Sequence, residues 1–466
     1  MITKPVKVVA TIGPATYSEQ TISSLAIAGV DVFRINFSHA DEESTVRMIN
    51  WIRETEKKLQ RPLSIMMDLP GPKIRISDMA PDVKVEKGQQ YTISKDVDYG
   101  NDTHCGLNYP SIIDDLQVGA EVFIDEGTIR LRIDEKNDRE IVTTVLVGGT
   151  LKPKKGFSAE GISFKSDGLT PRDKEGIRIG LENHVDAFAV SFVQDKDDVE
   201  LVRDMLPKDD PKILVAKIET ADGVKNAEHI LESADAMMVA RGDLGLAVPL
   251  SQVPHIQKKL IALCVRKAKP VITATQMLES MITKPVPTRA EVTDVANAIL
   301  DHTDAVMLSA ETAMGSFPLE TVEMMSKIIQ ESANHIQPYE FAEQATMSTA
   351  TCDSVGAVAD RVGAKLVIAF TQSGMTAKRI AQHRHSQPIL AVTPDPAIMH
   401  GLNFAWGVHP QEITLTKDFD DLLVQARELA QINTLNPLKE GDYYIVSAGI
   451  PFGKSGSTNM VLVQKV

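Results

Sequence analysis

Short apolar runs without polar alternation recur along the chain, each closed by polar or glycine residues: 6–10, 32–35, 64–67, 187–190, 213–216, 236–239, 271–273 and 305–308. Runs of this length with no polar face read as strands covered on both sides, and a helical pattern precedes most of them. Eight such strand–helix units predict a TIM (β/α)8 barrel, with a doubly wound sheet as the alternative. The rhythm breaks across residues 71–165, where Val, Ile and Thr alternate with charged residues between turn signals. Segments 90–94, 121–124, 129–133 and 141–147 there read as antiparallel strands of a small inserted β domain, a β-barrel. A helix is expected to end near Gln337, and the polar stretch 337–348 reads as a linker. A second α/β pattern follows, with strands at 366–370, 389–392 and 443–447. The expected division is therefore 1–70 with 166–340 as the barrel, 71–165 as the insertion, and 345–466 as a C-terminal α/β domain.

Composition narrows the partners. With 466 residues, 43% apolar and 24% charged, the chain is ordinary globular protein of several domains. A formal charge of -14 argues against nucleic acid or an anionic membrane as partner, since both require a basic face. Cys105, Cys264 and Cys352 are widely spaced, without a CxxC pair, which points to a reducing compartment. No signal peptide pattern and no bilayer-length apolar stretch is evident, so a cytoplasmic protein is expected.

Barrel enzymes carry their chemistry just beyond the carboxyl ends of the strands. Those positions are polar here: Arg34, Asn36 and Ser38; Asp68; Lys217 and Glu219; Arg241, Gly242 and Asp243; Thr275 and Gln276; Ser309 and Glu311. Glu219 and Asp243 suit a hard divalent cation, because Mg²⁺ takes one or two carboxylates and completes its shell with water and substrate oxygens. Lys217, two residues before Glu219, is expected on the same side of an extended strand end. A fixed cation and a metal facing one small volume suit phosphoryl transfer.

These residues sit in longer strings: ATIGPAT (10–16), FRINFSHA (33–40), KIET (217–220), MVARGDLG (238–245), TATQMLESM (273–281), TRAEVTDVANAI (288–299) and MLSAETA (307–313). In this order, over essentially the whole chain, they closely resemble pyruvate kinases. The resemblance implies a Mg²⁺-dependent enzyme, with Mn²⁺ able to substitute, acting on phosphoenolpyruvate and ADP to give pyruvate and ATP. It implies that Arg34 and Lys217 hold the substrate phosphate, that Lys217 stabilises the transition state, and that Glu219 and Asp243 bind the metal. It further implies that the N–H groups of Gly242 and Asp243 and the hydroxyl of Thr275 take the carboxylate. The enolate left by the transfer must gain a proton at its methylene carbon, and Thr275, through water and Ser309 or Glu311, is the candidate relay. Arg75, Lys155 and Asn36 would meet the nucleotide, with Arg75 and Lys155 at the hinges of an inserted domain acting as a lid. A homotetramer and a regulatory C-terminal domain are implied as well. A metal-dependent lyase on the same barrel would need neither lid nor effector domain, and a catalytically silent sensor is disfavoured because no reacting position is lost.

Two segments depart from the family pattern. Relatives commonly hold K⁺ with oxygens that map to Asn36, Ser38, Asp68 and the carbonyl of Leu69, but this chain carries Lys73 where many have Glu. Its ammonium is expected to offset Asp68 and to replace K⁺, making K⁺ unnecessary. TQSGMTA (371–377), between a strand and a helix, has phosphate-binding geometry, and the resemblance assigns Thr371, Ser373, Gly374 and Thr376 to a phosphorylated allosteric effector. A second effector loop is expected at 449–459, whose GIPFGKS is one residue short of a P-loop and leads into a strand-like segment. His383 and His385 read as a solvated helix end without an acidic partner, and Lys152 and Lys154 as exposed charge. Thr288 and Glu291 fit a capping box.

Overall fold

The computed structural model describes residues 4–159, 168–339, 346–414, 418–451 and 458–466. The boundaries expected at 165/166 and 340/345 lie outside these residues, as do positions 452–457 of the second effector loop. The eight apolar runs form eight parallel strands: β1 Lys7–Ile12, β2 Val32–Asn36, β3 Ser64–Asp68, β4 Ala187–Val190, β5 Ile213–Ile218, β6 Ala236–Ala240, β7 Val271–Ala274 and β8 Ala305–Leu308. They pair in chain order and close into a barrel, which excludes the doubly wound alternative.

Alternation explains why the strands are apolar throughout. Val9, Val32, Met66, Val215, Met238 and Met307 point inward and fill the barrel, while neighbours such as Val8, Phe33, Ile65 and Leu214 pack outward against the helices. Several helices begin on reciprocal caps: Asp41 with Ser44 for Glu42–Leu59, Thr170 with Asp173 for Pro171–Glu182, and Thr288 with Glu291 for Arg289–Leu300.

The inserted segment has its own core around Tyr91, Ile93, Leu131 and Ile133. All four expected strands are present in a curled sheet ordered Phe157–Ala159, Glu121–Ile124, Ile129–Lys136, Glu140–Val147, Gln90–Ser94, His104–Cys105. The C-terminal sheet is ordered Val408–Glu412, Ile389–Thr393, Val367–Phe370, Tyr443–Gly449, Thr458–Lys465, with only the last pair antiparallel. The strand Val408–Glu412 was not among the expected elements; it contains Pro410 and lies at the edge of the sheet, where proline is tolerated. Among the described residues the chain beyond the GKS segment is the strand Thr458–Lys465, in keeping with the strand-like segment expected there.

The C-terminal domain closes the amino end of the barrel. Phe404 is fully buried in the barrel's interior cluster. Arg384, itself 4% exposed, pairs with Asp304 at 2.8 Å, and the Lys7 ammonium donates to Val408 O at 2.5 Å. His383 and His385 correct the sequence reading: His383 is buried and lies 2.7 Å from Asp353, and His385 lies 3.0 Å from Asp360. Both acids come from the helix Met347–Val362, 30 and 25 residues away in sequence, and only packing brings them near. Among the described residues no helix is long and apolar enough to cross a membrane.

Candidate active site

Following each inward face two residues further carries the alternation from apolar core to charged mouth. Val9 leads to Thr11, Val32 to Arg34, Met66 to Asp68, Ala189 to Ser191, and Val215 to Lys217. Every side chain after the first of each pair faces the same small volume, and together they form a connected network. The Lys217 ammonium donates to Ser191 Oγ at 2.6 Å and Asp68 Oδ1 at 3.1 Å, and lies 3.1 Å from Glu219 Oε1. Arg34 donates to Asp68 Oδ2 at 2.7 Å and to Thr11 Oγ1 at 3.0 Å.

Burial acts to lower the Lys217 pKa, but Asp68 and then Glu219 outweigh it and hold the ammonium above its ordinary value. Burial pushes against ionised Asp68 too, yet the Lys217 and Arg34 charges hold its carboxyl below the usual range. Glu219 is raised, first by burial and also by Asp243, although Lys217 opposes the shift. Its other oxygen accepts the N–H of Phe192 at 2.8 Å. Phe192 has φ +58, a conformation that is costly for an aromatic residue and is stabilised by this bond.

Across the mouth, Thr275 and Gln276 both adopt left-handed backbone, at φ +67 and +53. Arg241 braces this turn, donating to the carbonyls of Thr275 and Gln276 while Asp294 holds its guanidinium at 2.7 Å. Thr275 Oγ1 accepts the Gly242 N–H at 2.8 Å and donates to Ala274 O at 2.6 Å. Glu311 is fixed by the amides of Ser309 and Leu278, whereas Ser309 Oγ is buried without a hydrogen-bond partner among the described residues.

A cleft of about 350 Å³ opens between mouth and insertion, lined by Lys73, Arg75 and Lys155 on one side and Glu219 and Asp243 on the other. Arg75 pairs in antiparallel register with Gly156, so the outgoing and returning hinge segments meet there. Lys155 lies 2.8 Å from Asp125, and Arg75 donates to Lys154 O at 2.9 Å. Lys73 corrects one expectation: its ammonium lies 3.4 Å from Asp243 rather than against Asp68, which Arg34 and Lys217 already engage. Asn36 Oδ1 accepts the Ser38 N–H at 3.1 Å, and Leu69 O accepts the Ser191 hydroxyl at 2.7 Å. Glu219 and Asp243 offer hard oxygen donors, and among the described residues no group of three or more His, Cys, Asp or Glu forms a ready-made cage. That donor set fits Mg²⁺ better than a soft metal.

The positions at which the sequence led us to expect an effector lie far from this cleft in sequence and on a separate sheet. Thr371 follows the strand Val367–Phe370, Gly374 at φ +78 opens the helix Met375–Ala381, Ser373 is exposed, and Thr376 Oγ1 shares a 2.7 Å hydrogen bond with Thr458. Arg241, collected at the mouth from sequence without an assigned role, proves to be a brace, and Thr11, Ser191 and Phe192 complete the site although the sequence reading did not name them. The period-2 continuation of the inward faces would have found Thr11 and Ser191; nothing in the local sequence marks the backbone of Phe192.

Comparison with known proteins gives one result. The family model for the pyruvate kinase barrel domain matches residues 3–322, and that for the pyruvate kinase alpha/beta domain matches 349–464. Pyruvate kinase of Geobacillus stearothermophilus is 41% identical over 471 residues, covering 99% of this chain and 80% of the relative. Pyruvate kinase of Methylorubrum extorquens is 38% identical over 464 residues, covering 98% of this chain and 96% of the relative. Pyruvate kinase 2 of Synechocystis is 38% identical over 470 residues, covering 99% and 79% respectively.

Proposed function

This chain belongs to the pyruvate kinase family, and from that premise we propose that it transfers the phosphoryl group of phosphoenolpyruvate to ADP, giving pyruvate and ATP. One observation carries the reading: a buried ammonium, Lys217, held by Asp68, Ser191 and Glu219 beneath a cleft that gathers Lys73, Arg75, Lys155 and Asp243. Transfer spreads negative charge over the oxygens of the moving group, and pre-oriented cations in a sheltered site lower that barrier.

In this reading Arg34 and Lys217 hold the substrate phosphate, and Lys217 stabilises the charge that develops as the phosphorus–oxygen bond to the enolate breaks and a terminal ADP oxygen attacks. The N–H groups of Gly242 and Asp243 and the hydroxyl of Thr275 take the carboxylate, exchanging the Gly242–Thr275 hydrogen bond for contacts to substrate. Arg75, Lys155 and Asn36 meet the nucleotide. Glu219 and Asp243 would hold Mg²⁺, or Mn²⁺ in its place; bound there, the ion would neutralise phosphate charge. The enolate gains its proton at the methylene carbon through Thr275, water and Ser309. The unengaged Ser309 hydroxyl supports that route over Glu311, whose oxygens are occupied by backbone amides.

The proposal extends to regulation and organisation. Lys73, paired with Asp243, supplies beside the metal carboxylates a charge that relatives obtain from K⁺, leaving Asn36, Ser38, Asp68 and the Leu69 carbonyl as the remnant of that site. Thr371, Ser373, Gly374 and Thr376 bind a phosphorylated effector. Residues 1–70 with 166–340 form the catalytic unit, 71–165 the lid and 345–466 the effector domain of a cytoplasmic homotetramer. A lactate-dehydrogenase-coupled assay with phosphoenolpyruvate, ADP and Mg²⁺ tests the central claim. ADP-dependent pyruvate formation is expected, and its absence in folded protein would refute the reading.

A further inference from the structure

The chain leaves the barrel for the insertion after β3 and is again described from Gly168, just before the helix Pro171–Glu182, and one buried carboxylate touches Gly71 on the outgoing side and Thr170 on the returning side. Asp173 is 1% exposed. Its Oδ1 accepts the Gly71 N–H at 2.9 Å, and its Oδ2 accepts the Thr170 N–H at 3.0 Å and hydroxyl at 2.6 Å. Three donors hold this carboxylate in the first turn of a 12-residue helix, and no Lys or Arg pairs with it among the described residues.

The outgoing anchor has no slack. Gly71 has φ +65, and a Cβ there would stand 2.9 Å from Ser191 Cβ and 3.1 Å from Phe192. Ser191 holds Lys217 and the Phe192 amide holds Glu219. The point where the insertion leaves the barrel thus rests on the segment that fixes two charged groups at the mouth.

We infer that Asp173 is a positioning residue that ties the two crossings into one pivot, so that Arg75 and Lys155, carried beyond it, reach a constant place over the mouth. It touches no reacting atom. The inference rests on the proposed nucleotide contacts of Arg75 and Lys155, whereas the groups assigned to phosphoenolpyruvate stand on the barrel itself. Asp173→Asn keeps shape and volume but offers a single acceptor oxygen. Its amide nitrogen must face a donor at one crossing, so one tie is lost.

The test compares wild-type and Asp173→Asn full-length protein in the presence of Mg²⁺. Phosphoenolpyruvate binding, measured by calorimetry without nucleotide, is expected to change less than about twofold, while kcat/KM for ADP falls about tenfold or more, as misplacement of remote positioning groups can produce. An unchanged kcat/KM for ADP, or a parallel loss of phosphoenolpyruvate affinity, overturns the inference. Amide hydrogen exchange on the wild type decides the matter should the variant not fold: Gly71 and Thr170 are expected to be protected and to open with the same free energy, and fast exchange at either overturns the tie. Wild-type protein inactive with phosphoenolpyruvate and ADP would strike the proposed function, while the exchange result would still judge the tie.

Discussion

Replacing Lys217 by Met isolates the group on which the proposed chemistry turns. Met approximates the length and volume of the lysine stem but removes the ammonium that lies 3.1 Å from both Asp68 and Glu219. The two carboxylates do not become orphans: Asp68 keeps Arg34 at 2.7 Å, and Glu219 keeps the Phe192 amide at 2.8 Å. Destabilisation should therefore fall below the roughly 3–5 kcal/mol typical of a broken buried ion pair, and the fold should persist. The loss to catalysis should be larger. A pre-oriented charge acting on a developing anion is worth about 10²- to 10³-fold, or roughly 3–4 kcal/mol of barrier, and more when the charge meets a moving phosphoryl group. We expect kcat for ATP formation to fall at least about a thousandfold. Mg²⁺-dependent exchange of pyruvate methyl protons with solvent, which needs enolate stabilisation and a proton relay but no moving phosphoryl group, should fall no more than about tenfold. Both rates are measurable on one preparation, with thermal unfolding as the control for folding. Equal loss of transfer and exchange in folded protein would refute the role assigned to Lys217.

Wild-type activity assayed with Mg²⁺ in tetramethylammonium buffer should change little on addition of K⁺; activation of about tenfold or more, equivalent to about 1.4 kcal/mol, would show that Lys73 does not replace the ion. Lys73→Glu should lose activity without K⁺ and recover part of it when K⁺ is supplied. A sugar phosphate or nucleoside monophosphate should shift the phosphoenolpyruvate saturation curve through the 371–376 loop, and failure of all such compounds to alter kinetics or thermal stability would count against the effector site. His400, on the C-terminal domain, faces Glu56 at 2.6 Å, Asp186 at 3.4 Å and the Arg53 guanidinium on the barrel. Burial lowers its pKa, but the Glu56 hydrogen bond and the two carboxylates prevail and raise it above 6.5. Its contribution to stability is thus complete below about pH 6.5 and is lost as pH rises through the folded-state value. The melting temperature should decline across that window, and His400→Gln should flatten the decline; an unchanged slope would refute the assignment.

Much of this protein was legible in sequence because barrel strands are short, buried on both faces and therefore apolar without interruption. The same regularity marks the strand ends, so Arg34, Asp68, Lys217, Glu219 and Asp243 could be collected at one mouth before any distance was known. The insertion was legible from the opposite signal, alternation of exposed Arg130 and Arg132 with buried Ile129, Leu131 and Ile133. Tertiary structure decided what depends on approach between segments remote in sequence. Lys73 meets Asp243 across 170 residues, Asp173 reaches Gly71 across 102, and His383 finds Asp353 only because two elements of the C-terminal domain pack together. The edge strand Val408–Glu412 belongs to the same class, since its proline is acceptable only where no further strand needs the missing N–H. Periodicity records which face of an element is buried; which charge meets which partner on that face is set by the packing of whole elements, to which local sequence carries no reference.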